Sequence, residues 1–387
     1  MVEVVVTGIG LVSALGTSLE ESWQQLIVGK SGISLYQLFP ELAPLPLGLI
    51  SQTPAKLRIL TQQVVDAAIK DAGLLTHLPE CAVVIGSSRS HQASWENLAR
   101  NMYAKCPNQS LYTGEKLEDW LEILPHMNAI AAARQIGATG TVLAPMAACA
   151  TGIWAISQAA FLIQTGQYQR AIAGAVEAPI TPLTISGFQQ MGALAKTGAY
   201  PFDLHREGLV LGEGAAIFVL ESKELAQQRQ AKIYGQVLGF GLTTDAYHPN
   251  QPDLEGRGAI AAIKQALKRS HLQPHDIDYI HAHGTATQLN DRIESMVIEK
   301  IFSHQVAISS TKGATGHTLG ASGALGVAFT LLAIKHNILP PTVGLNQPEF
   351  DLNIVRTAYK TDIQQALCLS FGFGGQNAAV VLGESTL

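Results

Sequence analysis

Four scarcities bound this chain of 387 residues before any motif is read. Cysteine is rare, and Cys81, Cys106, Cys149 and Cys368 stand far apart with no Cys-x-x-Cys pair. That argues against a disulfide framework and against a zinc module. Aromatic residues make up only 6% of the chain while glycine numbers 36, so the core must be built from small aliphatic side chains at close backbone approaches. Charge is sparse, without blocks of one sign, and sums to -5, which argues against general nucleic-acid binding. The opening Met1-Val2-Glu3-Val4-Val5-Val6 lacks the basic region and cleavage site of a signal peptide and reads as a first strand. One uncharged stretch, Gly140 to Gly166, is long enough to span a membrane. Its first part, with Thr141 and Pro145, is too irregular for one helix, so it reads as a buried strand followed by a buried helix. A soluble, cytoplasmic protein with no membrane insertion is expected.

What is present is a repeated pattern. Length alone suggests two to three domains. Strands are expected at Val2 to Thr7, Ala82 to Gly86 and Val142 to Pro145, and again at Ile233 to Gly241, Tyr279 to Ala282 and Val306 to Ser309. Each half closes on a glycine-rich hairpin, Gly208 to Gly214 before Ala215 to Leu220, and Leu369 to Gly375 before Ala378 to Leu382. Strands alternating with helices predict largely parallel sheets with helices on both faces. The boundary falls near Gln227 to Ala231, giving halves of 1–229 and 230–387. A duplicated unit would bring the two third-strand ends to one shared cleft. The polar segment Arg89 to Glu122 fits neither repeat and reads as an excursion shaping a pocket or a subunit contact.

Those third-strand ends carry the chemistry. Cys149 lies in Met146-Ala147-Ala148-Cys149-Ala150-Thr151-Gly152, where an apolar run turns helical. A free cysteine is commonly an inert core residue, but a helix N-terminus favours its thiolate. His283 follows a strand in His283-Gly284-Thr285-Ala286-Thr287, and Lys312 and His317 share Lys312-Gly313-Ala314-Thr315-Gly316-His317. Asp291 and Glu294 could orient Lys312 or complete a turn. A zinc site of Cys149, His283 and His317 is a competing reading. Gly8-Ile9-Gly10-Leu11-Val12-Ser13 imitates a dinucleotide fingerprint but lacks its third glycine and its acidic residue.

These strings, in this order and over nearly the whole chain, resemble the elongating type I/II β-ketoacyl-[acyl-carrier-protein] synthases of the thiolase-like superfamily. Pro201-Phe202-Asp203, Gly208 to Gly214 and Phe371-Gly372-Phe373-Gly374-Gly375 are further landmarks. The resemblance implies a duplicated α/β fold, layered αβαβα, with two mixed five-stranded sheets. It implies decarboxylative Claisen condensation of an acyl-enzyme thioester with malonyl-acyl carrier protein. Cys149 would take the acyl group, and the backbone N–H groups of Cys149 and Phe371 would form the oxyanion hole. His283 and His317 would stabilise the enolate, supported by Lys312 with Glu294 and Asp291. Thr285 and Thr287 would bind the pantetheine arm, Phe371 would be the gate, and Lys56 and Arg58 would be basic docking residues for the carrier. No cofactor is implied, since substrates ride on the carrier's phosphopantetheine. A homodimer, or a heterodimer with a chain-length subunit, is the implied assembly.

Departures from the family pattern cluster near the pocket. Leu369 and Gln376-Asn377 flank the last glycine-rich loop, Gln288-Leu289-Asn290-Asp291 replaces the usual proline after the His283 string, and Ser87-Ser88-Arg89-Ser90-His91 replaces a glycine-rich stretch beside the acyl pocket. Two other functions stay open at this point: a non-catalytic chain-length subunit, which would lack the nucleophilic cysteine, and a thiolase-type acyltransferase using a second cysteine, for which Cys368 is the nearest residue.

Overall fold

The computed structural model describes residues 2–105, 120–303 and 305–385. Each half supplies five strands to the main sheet. The first half gives β1 (Val4–Ser13), β2 (Ala82–Gly86), β3 (Val142–Leu143), β4 (Arg170–Glu177) and β5 (Gly214–Ser222). The second gives β6 (Gly235–Thr244), β7 (Tyr279–His281), β8 (Ala307–Ser309), β9 (Gln365–Gly372) and β10 (Gln376–Gly383). Outward from the middle, the order is β1-β5-β4-β2-β3 on one side and β6-β10-β9-β7-β8 on the other. The permutation is the same in both, so the duplication read from sequence is a duplication of topology.

Two expectations need correction. The two five-stranded groups are not separate sheets: Val4 to Val6 of β1 pair antiparallel with Gly235 to Val237 of β6, which makes one mixed ten-stranded sheet. Nor is the sheet largely parallel. β2 pairs in parallel with β3 and β4, and β7 with β8 and β9, whereas every pairing that involves β1, β5, β6 or β10 is antiparallel. The strands β4 and most of β9 were not anticipated, because no polar alternation marks a strand buried on both faces.

Six helices complete the layers: α1 (Leu57–Asp71), α2 (Met127–Ile136), α3 (Thr151–Gln164), α4 (Arg257–Ser270), α5 (Gln288–Ile301) and α6 (Ser322–His336). The helices α3 and α6 pack on each other and on strands of both halves, so the sheet folds around them. On the far side of the first-half strands lie α1 and α2, and on the far side of the second-half strands lie α4 and α5. This is the αβαβα layering.

Sequence explains the central position of α6, in which 13 of 15 residues are buried. A helix apolar all round has no face to give to water. Residues Leu319–His336 are long and apolar enough to cross a membrane, yet 89% of that window is buried inside the fold. The stretch Gly140 to Gly166 divides into β3 and α3.

The imitation of a dinucleotide fingerprint has a packing explanation. A Cβ on Gly8 or Gly10 would lie 2.4 or 2.1 Å from the carbonyl oxygens of Ala68 or Val64 in α1. A Cβ on Gly239 or Gly241 would lie 2.6 or 1.9 Å from those of Ala266 or Ala262 in α4. The Gly-x-Gly pairs therefore seat a helix directly on a strand, once in each half. Of the excursion Arg89 to Glu122, residues Gln92–Lys105 form a helix, and the Trp95 indole donates to the Ile123 carbonyl. Residues 106–119, with Cys106, lie outside the described residues.

Candidate active site

Cys149 sits where the chain turns from Ala147 into α3. Ala148 holds a left-handed φ of 47°, and the Thr151 hydroxyl donates back to the Ala148 carbonyl at 2.7 Å. A non-glycine residue in that region marks a turn held by its surroundings. Ser370 of β9 donates its hydroxyl to the Cys149 carbonyl at 2.8 Å, fixing the turn from the other half. The thiol is buried among Leu47, Leu49, Ile185, Phe188 and Leu209. Burial pushes it up to about 11, against the pull of Lys312 and a hydrogen bond from the Phe373 backbone N–H. Desolvation thus outweighs the helix-terminus effect expected from sequence, and the resting group is a thiol.

The second half delivers its residues to the same place. His283 leaves β7, and His317 precedes α6. Their rings stand edge to face with centroids 5.4 Å apart. The thiol and one nitrogen of each histidine lie within 4.8 Å of one another. Burial, with Lys312 nearby, holds both imidazoles well below their usual pKa, so both are neutral. Lys312 is also buried, which lowers its pKa, and its ammonium donates to the His283 carbonyl and lies 3.4 Å from His283 Nδ1. An ammonium can only donate, so Nδ1 accepts and the ring proton sits on Nε2. The Ser322 hydroxyl lies 2.7 Å from His317 Nδ1 and can impose the same tautomer there. Thiol and imidazoles are ligand types that zinc accepts. The Lys312 cation in contact with His283 opposes a second cation between them.

Asp291 and Glu294 hold a turn, the second of the two tasks open to them, and their charges also act on Lys312. Glu294 accepts from the backbone N–H groups of His283 (2.6 Å) and Gly284 (2.7 Å). Asp291 accepts from Thr285 (2.9 Å), Ala286 (3.1 Å) and Phe202 (2.8 Å). Among the described ion pairs none joins either carboxylate to Lys312. They clamp the loop that aims His283. Burial raises both groups, Glu294 to about 7.

A cavity of about 320 Å³ opens onto this cluster, lined at its floor by Cys149, His283, His317, Phe371 and Phe373. Thr285 and Thr287 line its wall, with their hydroxyls 2.9 Å apart. Lys56 and Arg58 are exposed at the start of α1, outside the cavity lining, and Arg58 is 3.9 Å from Glu122. Phe371 remains in the ladder opposite Asn377, with its ring edge-on to His283. Phe373, in the turn beyond, reaches the thiol and packs against Phe188. Sequence reading passed over Phe373, Ser370 and Glu177. The last had a signal: a carboxylate ending the strand Arg170–Glu177, directly after the apolar run Ala171 to Val176.

Two family models cover most of this architecture: "Beta-ketoacyl synthase, N-terminal domain" over residues 53–226 and "Beta-ketoacyl synthase, C-terminal domain" over residues 234–346. Along 98% of its length the chain is 34% identical to 98% of 3-oxoacyl-[acyl-carrier-protein] synthase 2 of Coxiella burnetii. The chain belongs to the β-ketoacyl synthase family. Among solved structures, it is 29% identical (TM-score 0.93) to a chain of AntDE:AntF, a type II PKS acyl-carrier protein in complex with its ketosynthase; the match covers 99% of this chain and 100% of that one. The ishigamide ketosynthase/chain length factor is 27% identical, TM-score 0.91, with both chains fully covered. Within this β-ketoacyl synthase fold, the Cys-His-His-Lys cluster sits where the two halves meet.

Proposed function

We propose that this chain is a 3-oxoacyl-[acyl-carrier-protein] synthase, and the convergence of Cys149, His283 and His317 within 4.8 Å carries that reading. The Cys149 thiol attacks the thioester carbonyl of an acyl carrier protein. The acyl group passes to Sγ, and the phosphopantetheine thiol departs with the proton. Malonyl-carrier then enters, with its pantetheine arm along Thr285 and Thr287. Loss of carbon dioxide leaves its electron pair on the thioester as an enolate. The Nε2–H groups of His283 and His317 stabilise that oxygen, and two neutral donors need not lose a proton to do so. The enolate carbon attacks acyl-Cys149. The backbone N–H of Cys149 and that of Phe373 hold the tetrahedral oxyanion, and collapse expels the thiolate, which regains a proton. The contact of the Phe373 amide with the thiol favours Phe373 over Phe371 as second donor and gate.

Cys149 itself speaks against a chain-length subunit. Cys368 speaks against thiolase chemistry: it is fully buried, its thiol is engaged with Thr330 and lies 3.8 Å from His281 Nδ1, and burial pushes it up to about 12. The halves 1–229 and 230–387 are the proposed units. The proposed setting is a cytoplasmic fatty-acid or specialised lipid or polyketide pathway, without membrane insertion. The partners are an acyl carrier protein, met in part by Lys56 and Arg58, and a second copy or a chain-length subunit. Exposed Met146, just after edge strand β3, and exposed Phe161 on α3 are apolar surface suited to that second subunit. The testing experiment is condensation of acyl- with malonyl-carrier. Cys149→Ala should abolish 3-oxoacyl product yet retain malonyl decarboxylation; undiminished product in the variant would refute the assignment.

A further inference from the structure

One cation near the thiol has, among the described residues, no hydrogen-bond or ion-pair partner for its side chain. Arg89 follows β2, and its backbone N–H donates to Glu177 Oε1 at 2.9 Å. Its guanidinium lies over the Phe188 ring, with Cζ 5.6 Å from the centroid. Phe188 packs in the apolar nest around Cys149 and lines the cavity, whereas Arg89 is not itself a lining residue and meets the site through that ring. Glu177, the carboxylate that the Arg89 backbone meets, is already committed. Its two oxygens accept from the Ser87 hydroxyl, the Ser88 hydroxyl and N–H, the Arg89 N–H and the Gly320 N–H, at 2.6 to 3.0 Å. Among the described residues the Arg89 side chain makes no hydrogen bond and no ion pair; its guanidinium rests on the Phe188 ring. It is only half-buried, so it keeps some water while the site is empty.

An unsubstituted alkyl chain on Cys149 that extends past Phe188 to the guanidinium would displace that water and return nothing to five N–H donors. A chain with an oxygen acceptor would pair with them, and a carboxylate could do so with both oxygens. Stacking on Phe188 restrains the guanidinium and leaves its N–H edge available. We infer that Arg89 is a specificity-determining residue which selects acyl chains bearing a carbonyl or carboxylate oxygen over plain alkyl chains. The inference rests on the condensing-enzyme reading and names the substrate class of that same site. Arg89 acts on substrate only, and the His283, His317 and Lys312 machinery does not depend on it.

The test is competitive loading of Cys149 from an equimolar mixture of hexanoyl-, 5-oxohexanoyl- and glutaryl-carrier protein, read by intact-protein mass. The three chains are close in length; 5-oxohexanoyl carries a carbonyl and glutaryl a carboxylate. The wild-type enzyme should load an oxygenated chain at least tenfold over hexanoyl, and which one leads separates carbonyl from carboxylate recognition. Arg89→Met, similar in length but uncharged, should bring that ratio to one or below. Arg89→Lys should keep part of any glutaryl preference. Because the readout is a ratio within one sample, a misfolded fraction does not alter it. Wild-type enzyme that loads hexanoyl equally well, or an Arg89→Met ratio equal to wild type, would overturn the inference while leaving the condensing reading intact. Failure of Cys149 to load any of the three, or longer alkyl chains, would instead overturn the reading beneath it.

Discussion

The two halves share a topology and differ at one turn. In the first, Ala148 at φ 47° precedes Cys149, and α3 starts at Thr151. In the second, Leu319 at φ 41° precedes Gly320, and α6 starts at Ser322. Gly320 thus holds the place in its half that the thiol holds in the other. A Cβ there would lie 2.5 Å from Glu177 Oε2 and 2.7 Å from the Ser88 N–H. The second turn is packed shut against a carboxylate of the first half, and its N–H is spent on that carboxylate. One copy of the turn presents a nucleophile to a cavity; the other packs against the first half just after His317, which reaches the same cavity. Duplication supplied two equivalent frameworks, and chemistry was divided between them.

The sharpest way to break this comparison is to move the thiol. Cys149→Ala should lower condensation by more than a thousandfold, and the double variant Cys149→Ala with Gly320→Cys should restore none of it, as measured by 3-oxoacyl product formation. Recovery in the double variant would mean that the second turn also opens to the cavity.

A second prediction concerns protonation. With the thiol held up to about 11 by burial, the thiolate is the minor form at neutral pH. The thiolate is the reactive species, so alkylation of Cys149 by iodoacetamide should rise about tenfold per pH unit between pH 7 and 10. A plateau below pH 8 would show that the helix start and Lys312 overcome desolvation. The two histidines, already neutral, should add no inflection near pH 6.5.

Two smaller effects test the symmetry itself. Gly10→Ala and Gly241→Ala each force a methyl against a helix carbonyl, at 2.1 and 1.9 Å. Each should cost about 1–3 kcal/mol in denaturant unfolding, and similar values in the two halves would match the duplicated packing. Glu177→Gln removes an acceptor from a cluster joining both halves and should cost about 1–3 kcal/mol. Its effect should exceed that of neutralising Glu122, an exposed partner of Arg134.

Much of this was legible in the sequence, for reasons that can be named. Cys149, His283, Lys312 and His317 sit at strand ends, where glycine and threonine interrupt apolar runs, and the repeated strand pattern implied one shared cleft. The strand β4 was not visible because Arg170–Glu177 is buried along both faces and shows no alternation. The join between β1 and β6 is three residues long and leaves no mark in either strand's pattern. The roles of Asp291 and Glu294 depend on which backbone N–H groups face them after folding, which spacing does not encode. Phe371 and Phe373 are two residues apart in one motif; only the end of the ladder at Gly372 shows which amide is released to face the thiol.

The central claim is that Cys149 carries the growing chain. Intact-protein mass spectrometry after incubation with acyl-carrier proteins of graded length and oxygenation tests it most directly. The account predicts a gain of one acyl group on the wild-type enzyme and none on Cys149→Ala. The same gain on Cys149→Ala, or no gain on folded wild-type enzyme with any donor, would contradict it.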